Sequence, residues 1–336
     1  MKANILKILF FGTPEFAAIV LEKMINAGYK PITVVTTPDK PVGRKQILTP
    51  SPVKLLAQKN KIQVLQPEKI LNLKSEILNL KPDLVVLAAF GQIIPKEILE
   101  IPKYGCLNVH PSLLPKYRGA SPIQTAILNN DAETGVTIML MDKLLDHGDI
   151  VASSRFKILD LRYNYQELTK KLAELGADLL IETIPKWVNN EIKAVPQNNK
   201  KATFTKIIKK EDGKINWRKS AEEIERMTRA YYPWPSAFAE IKDKKQKTKN
   251  KILKIIKAEA LKMENKKEPG MVFLIHSTGS VSTQSEAEGL TPDKIIAVAC
   301  GDNALILREI QLEGKKAMTA KELLNGYSWI IDATLS

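Results

Sequence analysis

The chain of 336 residues carries two cysteines, Cys106 and Cys300, with no CxxC spacing. Two such residues cannot build a disulfide framework, so both are expected as small buried apolar side chains in a reducing compartment. Long apolar runs are also missing: none approaches the roughly 18 uncharged residues that a membrane helix needs. The opening "MKANILKILFFGTPEF" passes from a hydrophobic strand into a turn without a small-residue cleavage site, and the expectation is a cytoplasmic protein without a membrane. Histidine is scarce, with three in the chain. With two cysteines beside them they are too few for a zinc site, and no metal is expected. The first strand runs into "FGTPEF" rather than GxGxxG, which disfavours a nicotinamide cofactor. There is neither a GxxxxGK[ST] loop for a nucleoside triphosphate nor a GxSxG nucleophile elbow.

What is present is an ordinary globular composition, 44% apolar and 26% charged, at a length that suits two domains. The formal net charge is +14, and it is unevenly placed. Between Lys242 and Lys267 stand eleven lysines against Asp243, Glu259 and Glu264, so this stretch alone holds +8. Such a gathering fits a polyanionic partner, since clustered lysines attract phosphates and release counterions. A solubilising lysine-rich loop accounts for it equally well.

The first half alternates strands and helices. "ILKILFFG" (5–12) and "DLVVLAAF" (83–90) are continuous apolar runs, "PITVVTT" (31–37) is β-branched, and "GCLNV" (105–109) and "TGVTIMLMD" (134–142) read as further strands. Helical spacing runs through 14–28 and again through 165–190. Strands buried on both faces and separated by helices predict an α/β fold, a Rossmann-like doubly wound, mostly parallel sheet with its ligand site beyond the carboxyl ends of the strands. A polar run with one proline at 191–206 reads as a linker. Beyond it come a helix with Ser220 as N-cap and Glu223 completing a capping box, then five short strands in 236–311. They predict a smaller C-terminal β-barrel of OB type. The expected domains are 1–190, the linker 191–206, and 207–336.

Asn108 and His110 lie two apart on a predicted strand and therefore point the same way. Asp146 follows the strand at 134–142. If those two strand ends are neighbours, an amide, an imidazole and a carboxylate converge at the carboxyl edge of the sheet, without a nucleophilic serine or cysteine. Such a trio suits direct attack of an external amine on an activated carbonyl. The amide donates to the developing oxyanion, the imidazole helps to move the amine proton or supports the oxyanion, and the carboxylate sets the ring's tautomer. Taken by itself, a strand histidine is more often a hydrogen-bonded core residue, and local spacing leaves both readings open.

"NVHPSLLPKYRGASPI" followed by "ETGVTIMLMDKLLDHGD" resembles the signature of the enzymes that transfer a formyl group from 10-formyltetrahydrofolate. The similarity extends over "FGTPEFA", "PDKPVGRKQILTPSPVKLLA" (38–57), "YYPWPSAF" (231–238) and "GKKAMTAKELLNG" (314–326), nearly the full chain. The resemblance implies that Asn108, His110 and Asp146 are the catalytic trio and that Ser112, Leu113, Leu114 and Pro115 form the folate-binding loop. Prolines stiffen such a loop, leucines offer apolar surface to a pterin, and free backbone can pair with its polar edges. Within the family the chain looks most like the members that formylate methionyl initiator tRNA for translation initiation. That implies a C-terminal barrel that helps to hold tRNA, and a basic loop, "PDKPVGRKQ", that enters the acceptor stem through Lys40, Arg44 and Lys45, with mobility from Gly43. Folate and tRNA are then the partners, and the chain is expected as a monomer. Formylation of an amino-sugar nucleotide and hydrolysis of formyltetrahydrofolate would use the same trio, and a non-catalytic tRNA-binding protein would use none of it. Compared with relatives, the basic loop lacks a second glycine after its arginine, and the lysine stretch from Lys242 is longer.

Overall fold

The computed structural model describes residues 6–42, 46–158, 162–241, 251–263, 267–276, 294–331 and 333–336. The chain folds into two compact units, one of residues 1–125, 131–160 and 166–207, the other of 126–130, 161–165 and 208–336.

In the first unit the apolar runs become β1 (Ile8–Gly12), β2 (Thr33–Val35), β5 (Gln63–Leu65), β6 (Leu84–Ala88) and β7 (Cys106–His110). These five pair in parallel in the order β5-β2-β1-β6-β7. β1 and β6 are buried along their whole length, as strands covered on both faces must be. On one face Leu9, Phe11, Val85 and Leu87 pack with Ile77 of α3 (Lys74–Leu80) and Ile98 of α4 (Lys96–Leu99). The alternate strand residues Ile8, Phe10 and Val86 are equally buried on the other face. α1 (Glu15–Asn26) presents a buried stripe of Phe16, Ala17, Val20, Leu21 and Met24, at helical spacing. α2 (Pro52–Lys59) starts where Ser51 accepts the Lys54 N–H at 3.1 Å, with proline in the first turn. Strand order reverses at β1, the kind of switch point beyond whose strand carboxyl ends ligands of open α/β sheets bind.

Two further strands extend the sheet past β7 with reversed direction. β9 (Glu133–Leu140) is antiparallel to β7, and β10 (Ile150–Lys157), which the sequence pattern does not announce, is antiparallel to β9. Leu107 pairs with Leu140 and His110 with Thr137. The carboxyl end of β9 therefore lies beside the start of β7, away from His110. The basic segment at 38–46 is framed by a hairpin, β3 (Lys40–Val42) with β4 (Ile47–Thr49). The unit also holds β8 (Arg118–Gly119), α5 (Pro122–Leu128), which begins here, the long α6 (Tyr165–Val188) and β11 (Phe204–Thr205). α6 buries Leu168, Leu172, Gly176, Leu180 and Ile184 at four-residue steps. Residues 191–206, expected as a linker, lie within this unit, and their β11 runs parallel to β8.

The second unit opens with α7 (Ala221–Tyr231), capped as expected: Ser220 Oγ accepts from the Glu223 N–H and the Glu223 carboxylate accepts from the Ser220 N–H, each at 3.2 Å. The side chain of Lys219 and the Ser220 N–H hold the Glu223 carboxyl below the usual carboxylate range. β12 (Ala237–Ile241), β13 (Lys251–Leu261), β14 (Val272–His276), β15 (Lys294–Ala299) and β16 (Ala304–Leu312) form an antiparallel sheet in the order β12-β13-β16-β15-β14, with β17 (Met318–Thr319) beside β16 and α8 (Ala320–Gly326) after it. The last residues then run between β12 and β14. Glu240 and Ser336 exchange backbone hydrogen bonds of 2.7 and 3.0 Å, and the Val272 N–H donates to the Ala333 carbonyl at 2.9 Å. Two isolated bridges, Ile241 with Leu335 and Met271 with Thr334, thus link the outer strands β12 and β14 through the chain end. The expected antiparallel β domain is therefore present, and the chain end joins it through isolated bridges rather than as a strand of its own. Of the lysine-rich stretch, 242–250 and 264–266 lie outside the described residues.

Candidate active site

β7 carries two of the three expected catalytic residues. His110 ends the strand with 4% of its surface exposed. Its Nε2 lies 3.0 Å from the Tyr117 carbonyl oxygen, which can only accept, so Nε2 carries the hydrogen. Nδ1 faces Oδ1 of Asp146 at 3.7 Å, within ion-pair range and beyond hydrogen-bond range. The ring's tautomer is therefore set by Tyr117 rather than by the carboxylate. Asn108 shares the strand face of His110, is half-buried, and makes no side-chain hydrogen bond among the described residues. Two residues earlier on that face, the Cys106 thiol is pushed up to about 12 by burial and stays neutral.

Asp146 reaches His110 by a different route from the one its position suggests. Because β9 ends beside the start of β7, residues 141–146 must double back along the strand. The turn is tight: the Leu140 N–H donates to the Asp149 carbonyl at 2.9 Å, and a Cβ on Gly148 would collide with the Leu140 oxygen. Asp146 itself has φ of +46°, a left-handed conformation that aspartate tolerates better than most residues. Its Oδ2 accepts the Gly119 N–H at 2.7 Å, leaving Oδ1 toward the imidazole.

The 112–115 loop follows His110 directly. Ser112 and Leu114 are buried and Leu113 and Pro115 half-buried. Much of its backbone is already engaged. The Ser112 N–H donates to the His110 carbonyl at 2.9 Å, Thr137 Oγ1 donates to the Ser112 carbonyl at 2.7 Å and accepts the Leu114 N–H at 3.1 Å, and Ser112 Oγ donates to the Lys116 carbonyl at 2.5 Å. The leucine side chains are also less open than the sequence implies, since Leu113 packs against Gly135, where a Cβ would meet it at 2.5 Å. What the loop offers is a stiff, partly apolar wall with few unpaired groups of its own. Thr137 holds that wall, and its signal in the sequence is one hydroxyl inside an apolar strand.

Lys40 lies exposed on β3, in the hairpin whose other strand exposes Ile47 and Leu48, while Arg44 and Lys45 lie outside the described residues. Arg118, Gln197 and Asn199 surround the Asp146 loop without any sequence pattern that marks them.

Residues 6–184 match the family model described as formyl transferase, and 207–328 match formyl transferase, C-terminal domain. The chain is 43% identical over 324 residues to methionyl-tRNA formyltransferase of Halalkalibacterium halodurans, covering 96% of this chain and 95% of that protein. It is 42% identical over 323 residues to the enzyme of the same name from Staphylococcus aureus, covering 95% and 96%. The fold is shared with an N-formyltransferase from Helicobacter canadensis solved with folinic acid and dTDP-3-aminofucose, at a TM-score of 0.58 and 22% identity over 90% of this chain and 98% of that one. It is shared too with HypX from Aquifex aeolicus in complex with tetrahydrofolic acid, at a TM-score of 0.60 and 16% identity over 96% of this chain and 47% of that one. With relatives of this identity along almost its whole length, the chain belongs to the methionyl-tRNA formyltransferase family.

Proposed function

We propose that the protein transfers the formyl group of 10-formyltetrahydrofolate to the α-amino group of methionyl initiator tRNA, as a cytoplasmic monomer, with Asn108, His110 and Asp146 as its catalytic residues. The observation that carries this reading is their convergence: an uncommitted amide, a buried imidazole with one nitrogen engaged, and a carboxylate at its other nitrogen. The loop of Ser112, Leu113, Leu114 and Pro115 fits the folate, because its own polar groups are largely satisfied and the half-buried Leu113 and Pro115 keep part of their apolar surface open. The amine adds to the formyl carbon of 10-formyltetrahydrofolate, the bond from that carbon to N10 breaks, and tetrahydrofolate leaves with a proton on N10 in place of the formyl group.

The chain's own residues do the rest. The Asn108 amide N–H₂ donates to the formyl oxygen as negative charge develops there, a contribution of about 3 kcal/mol for one such donor. Nδ1 of His110 is the ring nitrogen left to move the amine proton, since Nε2 is held by Tyr117. Asp146, without hydrogen-bonding the ring, steadies positive charge on it. No covalent enzyme intermediate is required. Residues 207–336 act as the tRNA-holding domain, with Lys40, Arg44 and Lys45 of the basic segment 38–46 contacting tRNA phosphates. The test is transfer of labelled formyl from 10-formyltetrahydrofolate to methionyl initiator tRNA, with elongator methionyl-tRNA as control. Label on the initiator alone is the expected result. Formate release that ignores charged tRNA would mean a hydrolase instead.

A further inference from the structure

The segment after α6 lies in neither region matched by the two family models, which cover 6–184 and 207–328. In the fold it stitches the catalytic loops together. Val195 and Ile150 exchange backbone hydrogen bonds of 2.8 Å, and the Arg118 N–H donates to the Thr203 carbonyl at 2.9 Å. Thr203 Oγ1 accepts the Tyr117 N–H at 2.9 Å and Thr205 Oγ1 accepts the Ser121 N–H at 3.1 Å.

At the centre stands Gln197, 7% exposed. Its Oε1 accepts two hydrogen bonds from Arg118, from Nε at 3.1 Å and Nη2 at 2.7 Å, and its Nε2 donates to the Asp146 carbonyl at 3.0 Å and the Gly148 carbonyl at 2.7 Å. A guanidinium can only donate and a carbonyl can only accept, so the amide has one possible orientation and all four of its bonding positions are used. Arg118, 4% exposed, donates also to Asn199 Oδ1 at 2.7 Å. That bond turns the Asn199 amide nitrogen toward His147 Nε2, 3.2 Å away, and places the ring hydrogen on Nδ1, which donates to Asp142 Oδ2 at 2.6 Å. The network therefore grips the loop at residue 142, at 146 and 147, and at 148.

We propose that Gln197, oriented by Arg118, is a positioning residue: it holds the main chain of Asp146 so that the carboxylate meets Nδ1 of His110. The inference rests on the catalytic reading of Asp146 given above. Asp146 needs such a hold because its left-handed backbone and the doubled-back loop have no strand pairing of their own between residues 142 and 148. Displacement of a catalytic group by about 1 Å costs on the order of 100-fold in rate.

The experiment measures steady-state formyl transfer by the full-length Q197M, Q197E and D146N proteins and the D146N/Q197E double variant, with thermal melting as a check on folding. Q197M keeps the volume and loses every hydrogen bond. Q197E keeps the acceptor for Arg118 and gives that buried guanidinium a carboxylate, so it carries the test where Q197M does not fold; it has no N–H to offer the two carbonyls. Both variants are expected to lower kcat by about 10- to 100-fold while KM for each substrate moves less than about threefold. The double variant is expected to be no slower than D146N, because Gln197 acts only through that residue. Wild-type kcat in Q197E, a loss confined to KM, or a further tenfold loss in the double variant would overturn the proposal. Wild-type kcat in D146N would instead remove the catalytic role of Asp146, whatever the Gln197 variants do.

Discussion

The two units solve different problems with different parts. In the first, an imidazole at a strand end and a carboxylate on a doubled-back loop stand 3.7 Å apart, and the support is buried hydrogen bonding through Tyr117, Gly119, Thr137 and Gln197. In the second, a sheet of antiparallel strands alternates buried residues such as Leu253 and Ile255 with outward ones such as Lys254 and Lys257. Chemistry that depends on placement concentrates its sensitivity in a few atoms. Attraction of a polyanion depends on summed charge and spreads its sensitivity thinly.

Substitution breaks or sharpens that contrast. His110→Ala should reduce kcat by at least about 100-fold, as loss of a general acid–base group does. The check is single-turnover formyl transfer at saturating folate and tRNA, and near wild-type turnover there would dissolve the distinction between the units. Gly148→Ala comes next, because its Cβ would collide with the Leu140 oxygen. The loop has to shift, and Asp146 with it, so kcat should fall by about 10-fold or more while tRNA binding, measured by filter retention, is unchanged.

In the second unit, Leu335→Ala empties a 2% exposed position in the chain-end segment that bridges β12 and β14. It should destabilise the second unit by about 2–5 kcal/mol, seen in urea titration, with kcat retained under conditions where the protein stays folded. The smallest effect is expected for Lys254→Ala with Lys257→Ala on β13. Turnover at saturating tRNA should stay the same while the salt dependence of KM for tRNA becomes shallower, by about one unit of slope for each phosphate that is no longer neutralised. An unchanged slope would take these two lysines out of the tRNA surface.

Asn108 and His110 are legible in the sequence because a strand's period of two acts over neighbouring residues, and the helix cap at Ser220 is legible for the same local reason. Asp146 is half legible. Its proximity to His110 is correct, yet the route is not, since nothing in "TGVTIMLMD" tells whether the strand runs with β7 or against it. Gln197 and Arg118 are 79 positions apart and make sense only as partners. The polar residues of 191–206 look like linker composition because buried side-chain amides and exposed ones are the same letters.

By itself, the sequence determined the alternation of apolar strands and helices, the pair on β7, the stiff turn after it and the unequal spread of lysine, all consequences of local period and charge. Only the tertiary structure decided the direction of β9, the return of the 141–149 loop, the bracing of that loop from 197, and the bridging of β12 and β14 by the last residues. Each of these depends on hydrogen bonds between groups far apart in the chain, and such a bond leaves no periodicity for a sequence to display.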